Sequence, residues 1–251
     1  MSAPLLETRA LCRSFGALAA TRDVDFRLEP GARHALIGPN GAGKTTFGNL
    51  LTGALAPTSG AVLMRGRDIT RAAQARRVKL GIARTFQINR LFRGLTVLVN
   101  VSIPVAERTG VAPGKWRPAG LRREVVDEAM ALLDTLKLTG DASRRISELP
   151  YGRQRLVELA IALGLRPAVL LLDEPAAGVP SAESHIILDA VAGLPADIAV
   201  LIIDHDMDLI FRFAQRITVL VSGAVFATGT PAEIGANADV RAVYLGRATH
   251  G

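Results

Sequence analysis

Three short stretches of the sequence combine residue types that could bind phosphate and activate a water molecule to attack it. The first, GPNGAGKTT from Gly38 to Thr46, fits the pattern G-x-x-x-x-G-K-[ST]. Its glycines let the backbone curl so that successive N–H groups point at phosphate oxygens. Lys44 is expected to neutralise the β- and γ-phosphates, and Thr45 to be a ligand of Mg²⁺. The residues predicted to contact the nucleotide here are Gly38, Asn40, Gly41, Ala42, Gly43, Lys44, Thr45 and Thr46.

The second stretch, AVLLLDEP from Ala168 to Pro175, places two carboxylates directly after an apolar run. The run predicts a buried strand, and ligands of open α/β sheets bind at the carboxyl ends of strands. Asp173 is expected to hold the hydration shell of Mg²⁺. Glu174 is expected to polarise the attacking water as a general base.

The third stretch, LIIDHDMD, repeats this arrangement with His205 just beyond an apolar strand. A histidine at this place can donate to the γ-phosphate and orient the water. GIARTFQ likewise ends a strand in Gln87, whose amide can contact a metal ion or a water without adding charge. His205 and Gln87 therefore join Glu174 as predicted catalytic residues, and Gln87 joins Thr45 and Asp173 as a predicted metal ligand.

The elements that must position these residues alternate between strand and helix. A strand, HALI, precedes the first stretch, and a helix is predicted after it from Gly43 to Gly53. Beyond Pro167 strands and helices alternate, which predicts a parallel α/β sheet. Residues 88–162 differ, because apolar residues recur at helical spacing from Arg122 to Leu138. We therefore predict a helical subdomain inserted at 88–162, and short helices in the C-terminal tail at 231–251.

Composition limits the class of protein. Lys and Arg number 30 against 23 acidic residues, a net charge of +7, which favours polyanions or an anionic membrane face as neighbours. No apolar run reaches the ~18 residues of a membrane span, and the N-terminus lacks the pattern of a signal peptide. Cys12 is the only cysteine, which excludes an intrachain disulfide and a cysteine metal cluster.

A further stretch, ELPYGRQRLVELA, places two arginines at the start of a predicted helix. The helix dipole favours anions at this end, so cations there suggest that an anion arrives from elsewhere. Arg153 and Arg155 could lie near that anion or face solvent, and for Arg155 we expect solvent.

The order of these stretches resembles that of the ATP-binding subunits of ABC transporters over nearly the whole chain. The resemblance implies one ABC ATP-binding domain over 1–251, with an α/β P-loop NTPase (RecA-like) core, an N-terminal antiparallel β subdomain and the inserted helical subdomain. Phe15 corresponds to the aromatic residue that stacks on adenine, Gln87 to the Q-loop residue and His205 to the switch histidine. LPYGRQ takes the place of the signature L-S-G-G-Q, and AAGVP that of the D-loop.

The resemblance also implies a second ATPase subunit, identical or different, packed head to tail so that two ATP molecules are buried. The signature helix then points at the γ-phosphate of ATP held by the other subunit. The residues implied to contact that nucleotide are Tyr151, Gly152, Arg153 and Gln154. Pro150 and Tyr151 depart from the usual serine and glycine, and Pro180 stands near the usual D-loop aspartate, so weakened contacts across the dimer are expected.

Within the family, GIARTFQINRLFRGLTVLVNV, PYGRQRLVELA and LDEPAAGV are similar to the ATPase subunits of importers for branched-chain amino acids. This similarity implies two transmembrane permease subunits, a periplasmic solute-binding protein and a peripheral place on the cytoplasmic face of the inner membrane. Between Arg84 and Ala160, 13 basic against 8 acidic residues suit either an anionic leaflet or plain solvation. The alternative functions are those of an ATPase subunit of an exporter or lipid transporter, and of a soluble ABC ATPase that acts on nucleic acid. We do not expect nucleic acid to be a partner of this chain.

Overall fold

The structure, a computed structural model, describes residues 3–85, 91–110, 122–179 and 181–245. Contacts between residues divide the chain into two compact units. The first unit consists of Met1–Ile82, Ala168–Glu174 and Pro195–Gly251, and the second of Ala83–Pro167 and Pro175–Leu194.

An antiparallel sheet of four strands, in the order β2-β1-β4-β5, belongs to the first unit. Its strands are β1 (Leu6–Phe15), β2 (Leu18–Leu28), β4 (Ser59–Met64) and β5 (Arg67–Asp68). The hairpin between β1 and β2 is tight, because Phe15 pairs with Leu18 across a two-residue turn. Gly16 takes φ +58° in this turn, a conformation that glycine adopts without steric cost. The turn leaves Phe15 at the exposed end of the hairpin.

A second sheet has the strand order β10-β9-β3-β8-β7-β6. Its strands are β3 (Arg33–Ile37), β6 (Ile82–Arg84), β7 (Val169–Asp173), β8 (Ala199–Ile203), β9 (Arg216–Val221) and β10 (Ala224–Gly229). Strand β3 pairs in parallel with β8 and β9, and β7 pairs in parallel with β8. Every residue of β7 and β8 is buried, as expected for parallel strands covered on both faces. The carboxyl ends of β3, β7 and β8 therefore meet at one edge of the sheet.

Within the described residues, the first unit also has five helices: α1 (Lys44–Thr52), α2 (Gln74–Lys79), α7 (Met207–Phe213), α8 (Pro231–Ala236) and α9 (Ala238–Leu245). Phe47, Leu50 and Leu51 of α1 are fully buried in the same apolar core as the strands. Helix α8 begins with a capping box, in which Thr230 and Glu233 exchange hydrogen bonds between side chain and backbone. Helices α8 and α9 extend from Pro231 to Leu245, within the range predicted for the C-terminal tail.

The second unit is helical. Its helices are α3 (Val97–Arg108), α4 (Arg123–Thr135), α5 (Tyr151–Gly164) and α6 (Ser181–Ala192), with 3₁₀ turns at Thr139–Asp141 and Ile146–Glu148. The helix predicted from Arg122 to Leu138 ends earlier, at Thr135, because the chain turns at Lys137 with φ +56°. Its apolar positions Val125, Ala129 and Leu133 are buried, as their spacing indicates.

Helix α4 is attached to its neighbours by a carboxylate as well as by apolar packing. Glu128 accepts hydrogen bonds from Arg108 at 2.6 Å and from Arg166 at 3.0 Å.

In the described part of the chain, no helix has the length and hydropathy needed to cross a bilayer. The proposed boundaries 88–162 and 231–251 stay predictions.

Candidate functional site

The loop between β3 and α1 has the backbone that a phosphate-binding loop needs. Gly41 and Gly43 take φ +78° and φ +95°, in the region that side chains disfavour. A methyl group at Gly43 would also collide with the carbonyl oxygen of Ala20, so this position requires glycine. The first backbone hydrogen bond of α1 runs from the N–H of Phe47 to the carbonyl oxygen of Gly43, at 2.8 Å. The N–H groups of the preceding helical residues are therefore left for a ligand at the helix N-terminus.

Lys44 begins α1 and turns its side chain back over the loop. Its ammonium donates to the carbonyl oxygens of Gly38 at 2.5 Å and Pro39 at 3.1 Å. Burial lowers the pKa of Lys44, whereas the nearby carboxylates of Glu174, Asp173 and Asp204 act in the opposite direction. The loop thus presents a half-buried cation, as phosphate binding requires, and the three carboxylates favour its charged form.

The acidic pair lies at the carboxyl end of β7, as predicted. Asp173 closes the strand with a side chain that is almost fully buried. Glu174 takes φ +45°, and its N–H donates to the carbonyl oxygen of Ile203 at 2.8 Å. The chain therefore leaves the sheet sharply at Glu174, in a conformation that is uncommon for a residue other than glycine. Glu174 remains partly exposed, so its carboxylate is accessible to water.

His205 follows β8 and faces the carboxylate of Glu174. Its Nδ1 lies 3.6 Å from Oε1 of Glu174, and its side chain is 69% exposed. The arrangement can orient one water or phosphate oxygen between a carboxylate and an imidazole.

Asp204 was not among the residues predicted from the sequence, although it directly precedes His205. Its Oδ1 accepts the N–H groups of His205 at 2.7 Å and Asp206 at 3.1 Å, which fixes the loop that carries the histidine. Burial raises the pKa of Asp204, and these hydrogen bonds counteract the rise. The signal that could have found Asp204 is its place at the end of an apolar strand, the same place that Asp173 occupies.

Phe15 forms an exposed aromatic surface at the end of the β1–β2 hairpin. Its ring is 44% exposed, and the guanidinium of Arg13 lies 4.5 Å from the ring centroid. Arg13 is held by a hydrogen bond to the carbonyl oxygen of Ala56 at 3.0 Å. A ring with one cation beside it and a large exposed fraction is suited to stacking on a planar base.

Three other predicted residues lie in the phosphate-binding loop or at the start of α1. Asn40 and Thr45 are exposed beside the loop, and Ala42 is buried with its N–H donating to Pro39 at 3.1 Å. Gln87 lies outside the described residues, so its predicted catalytic and metal-binding roles stay predictions.

The second unit contains the stretch that resembles the family signature. Pro150 is the N-cap of α5 and provides no side-chain hydrogen bond. The first backbone hydrogen bond of the helix runs from Gln154 to Pro150, at 3.1 Å. The N–H groups of Tyr151, Gly152 and Arg153 therefore lie in the first helical turn, where an anion is favoured.

The side chains of this turn are held by their own unit. Gln154 donates from its amide to the carbonyl oxygen of Leu149 at 2.8 Å and is buried. Arg153 reaches Asp141 at 2.7 Å and the carbonyl oxygen of Lys137 at 3.1 Å. These contacts favour recognition of a ligand by the backbone rather than by long side chains.

The expectation that Arg155 faces solvent is wrong. Its side chain is 5% exposed and forms an ion pair of 2.9 Å with Glu158, which is itself buried. Glu158 lies three positions after Arg155 in α5, so the acidic partner lies on the same face of the helix. The nearby counter-charge allows the guanidinium to be buried.

The comparisons with known proteins agree with this architecture. Residues 21–177 match the family model described as ABC transporter, and residues 224–250 match the model described as branched-chain amino acid ATP-binding cassette transporter. The chain belongs to the ABC transporter family, because the first match covers more than half of it. Its fold is that of an ABC ATPase cassette, a mixed α/β P-loop NTPase with an antiparallel sheet and helical parts, as predicted.

Two relatives of this chain are similar to it over their full length. It is 39% identical to the high-affinity branched-chain amino acid transport ATP-binding protein LivG of Escherichia coli (strain K12), over 99% of this chain and 100% of the relative. It is 37% identical to BraF of Pseudomonas aeruginosa, with the same coverage. The crystal structure of an ATP-binding cassette in its ADP conformation is 31% identical, with a TM-score of 0.85 over 98% of this chain and 100% of that one. The predicted resemblance, including its branch, is confirmed.

Proposed function

We propose that this chain is the ATP-hydrolysing subunit of an importer for branched-chain amino acids or a related small polar solute. The observation that carries the proposal is the pair formed by Glu174 and His205, 3.6 Å apart, within a unit that also holds Lys44 and Asp173. The full-length similarity to LivG and BraF supports the importer over the exporter and over a nucleic-acid-associated ATPase.

Hydrolysis follows from the chemistry of these groups. The backbone N–H groups at the start of α1 bind the phosphates, and Lys44 exchanges its carbonyl partners for the β- and γ-phosphate oxygens. Glu174 accepts a proton from the attacking water as general base. His205 donates a hydrogen bond to the γ-phosphate and keeps the water in line.

The residues at this site fit Mg²⁺, a hard cation that prefers oxygen ligands and retains several waters. The exposed hydroxyl of Thr45 and the carboxylate of Asp173 would hold the ion, with Gln87 as the third predicted ligand. The ion would supply neutralisation of the charge that develops on the phosphate oxygens.

Two such subunits bind each other through ATP. In this proposal the first turn of α5 receives the γ-phosphate of ATP held by the second subunit, which can be identical or different. ADP lacks this phosphate, so only ATP favours the closed pair. The pair acts on two transmembrane permease subunits at the cytoplasmic face of the inner membrane, and a periplasmic protein delivers the solute.

The test uses the chain together with its membrane subunits. Glu174→Gln is expected to lower ATP turnover by at least about 100-fold, because the general base is lost. Without the membrane subunits, the variant chain is also expected to bind ATP and to form an ATP-dependent dimer, measured by light scattering. Glu29→Gln, which neutralises an exposed carboxylate of the same unit, is the matched control. Turnover of Glu174→Gln within twofold of the control would contradict the proposal.

A further inference from the structure

Tyr151 introduces a large ring at a position where the family signature carries glycine. The side chain is 39% exposed and lies beside the loop that follows the acidic pair. A methyl group built on Gly178 would be 3.2 Å from Cε1 and 3.7 Å from Oη of this ring. The ring is therefore in contact with the loop, and both belong to the second unit.

The loop is shaped to accept the ring. Gly178 takes φ +75°, and the N–H of Val179 donates to the carbonyl oxygen of Ala176 at 3.1 Å, which closes a turn. A side chain at Gly178 would meet both the backbone restriction and the ring of Tyr151. Glycine thus permits the close approach of the turn to the aromatic side chain.

Arg155 joins the same two elements from the helix side. Its guanidinium lies 5.2 Å from the ring centroid of Tyr151, and its Nη2 lies 3.5 Å from the carbonyl oxygen of Ala177. The buried ion pair with Glu158 at 2.9 Å fixes the guanidinium in place. The first turn of α5 and the loop Ala176–Val179 are therefore connected through the ring, the cation and a backbone carbonyl.

We propose that Tyr151 is a positioning residue that couples the loop Ala176–Val179 to the first turn of α5. The proposal rests on the proposed function, in which this turn receives the γ-phosphate of the second subunit. A displacement of the turn by phosphate is passed to the loop because the ring and Arg155 contact both. A glycine at position 151 lacks the side chain for this contact.

The first experiment measures amide hydrogen exchange on the full chain without nucleotide. Tyr151→Ala is expected to accelerate exchange at Ala176–Val179 about tenfold, since coupling between contacting residues reaches this size. Tyr151→Phe retains the ring and is expected to stay within twofold of the wild type. Amides of β1, which belongs to the first unit, serve as the internal reference.

The second experiment measures ATP turnover of the same variants with the membrane subunits present. Tyr151→Ala is expected to lower kcat about fivefold with KM for ATP unchanged, and Tyr151→Phe to restore it. Unchanged exchange in Tyr151→Ala, or faster exchange with unchanged kcat, overturns the proposal. Failure of the proposed function is distinguishable, because the wild type would then lack turnover while the exchange result still decides the contact.

Discussion

The guanidinium of Arg77 donates from Nη1 to the carbonyl oxygen of Leu50 at 2.7 Å, at the C-terminal end of the helix that Lys44 begins. The same group reaches the carbonyl oxygens of Leu51 at 2.8 Å, Thr70 at 2.9 Å and Ala72 at 3.1 Å. Arg77 is 1% exposed, so one buried cation satisfies four carbonyl groups. It also stands at the negative end of the helix dipole, where a positive charge is favoured.

We expect Arg77→Met to destabilise the protein by about 3 kcal/mol or more, because it leaves several buried carbonyl groups without a donor. The free energy of unfolding in urea measures this loss. Arg76→Met is the matched control, since Arg76 is exposed on the same helix, and it should stay within about 0.5 kcal/mol of the wild type. Equal stability of the two variants would show that the buried hydrogen bonds contribute nothing.

Stability should also depend on pH through His34. Its Nε2 lies 2.9 Å from the hydroxyl of Thr218, and its ring packs edge-on against Phe26. Burial, with a smaller contribution from the charge of Arg216, lowers the pKa of His34 to about 4. The unfolded chain therefore binds more protons between this value and the ordinary histidine pKa of about 6.5. Stability is fully present above pH 6.5 and falls as the pH decreases towards 4.

The measurement compares urea unfolding at pH 7 and pH 5 in the wild type and in His34→Gln. Glutamine can keep a hydrogen bond to Thr218 but does not titrate. We expect the wild type to lose about 2 kcal/mol more than the variant over this interval. Parallel losses in the two proteins would mean that other groups cause the acid sensitivity.

Nucleotide affinity should depend on the ring of Phe15. Phe15→Ala is expected to weaken ATP binding about tenfold, which corresponds to the loss of one stacked base. Binding of inorganic triphosphate should not change, because that ligand has no base. Phe226→Ala removes a ring of similar exposure from β10 and is the matched control. Calorimetric titration measures the affinity of the wild type and both variants for each ligand. An equal loss of affinity for ATP and triphosphate in Phe15→Ala would argue against stacking.

The proline at the start of α5 gives a further prediction. Pro150 leaves the helix without a side-chain cap, and Pro150→Ser supplies an oxygen that can accept an N–H of the first turn. We expect this variant to be about 1 kcal/mol more stable than Pro150→Ala and to have a higher ATP turnover. Pro150→Ala separates removal of the proline ring from addition of the hydroxyl. Turnover and nucleotide affinity equal to the wild type in Pro150→Ser would contradict the expected weakness of this signature.

The nucleotide-binding part of the site could be predicted because its functional groups lie in short contiguous stretches of the sequence. The glycines and Lys44 of the loop follow a strand and open a helix, and each carboxylate or histidine follows an apolar run. In a parallel sheet such strand ends share one edge, so the local pattern already determines the grouping of Asp173, Glu174 and His205.

The burial of charged side chains could not be predicted in this way. Arg155 was expected in solvent, but the acidic residue three positions later made its burial possible. The burial of Arg77 cannot be predicted from the sequence, since its four acceptors come from a helix end and a loop that only the fold brings together. Every residue has a backbone carbonyl group, so a cation bound by such groups needs no acidic residue that the sequence could reveal as its partner.

The positive φ of Glu174 separates the requirements of folding from those of turnover. A side chain in this conformation costs about 1 kcal/mol relative to glycine, so the protein would gain stability if glycine replaced Glu174. Screening of random variants for heat resistance alone should therefore enrich glycine at this position and yield robust but inactive chains. Glutamate at a place where the backbone prefers glycine marks a position at which selection for reaction rate has outweighed selection for durability.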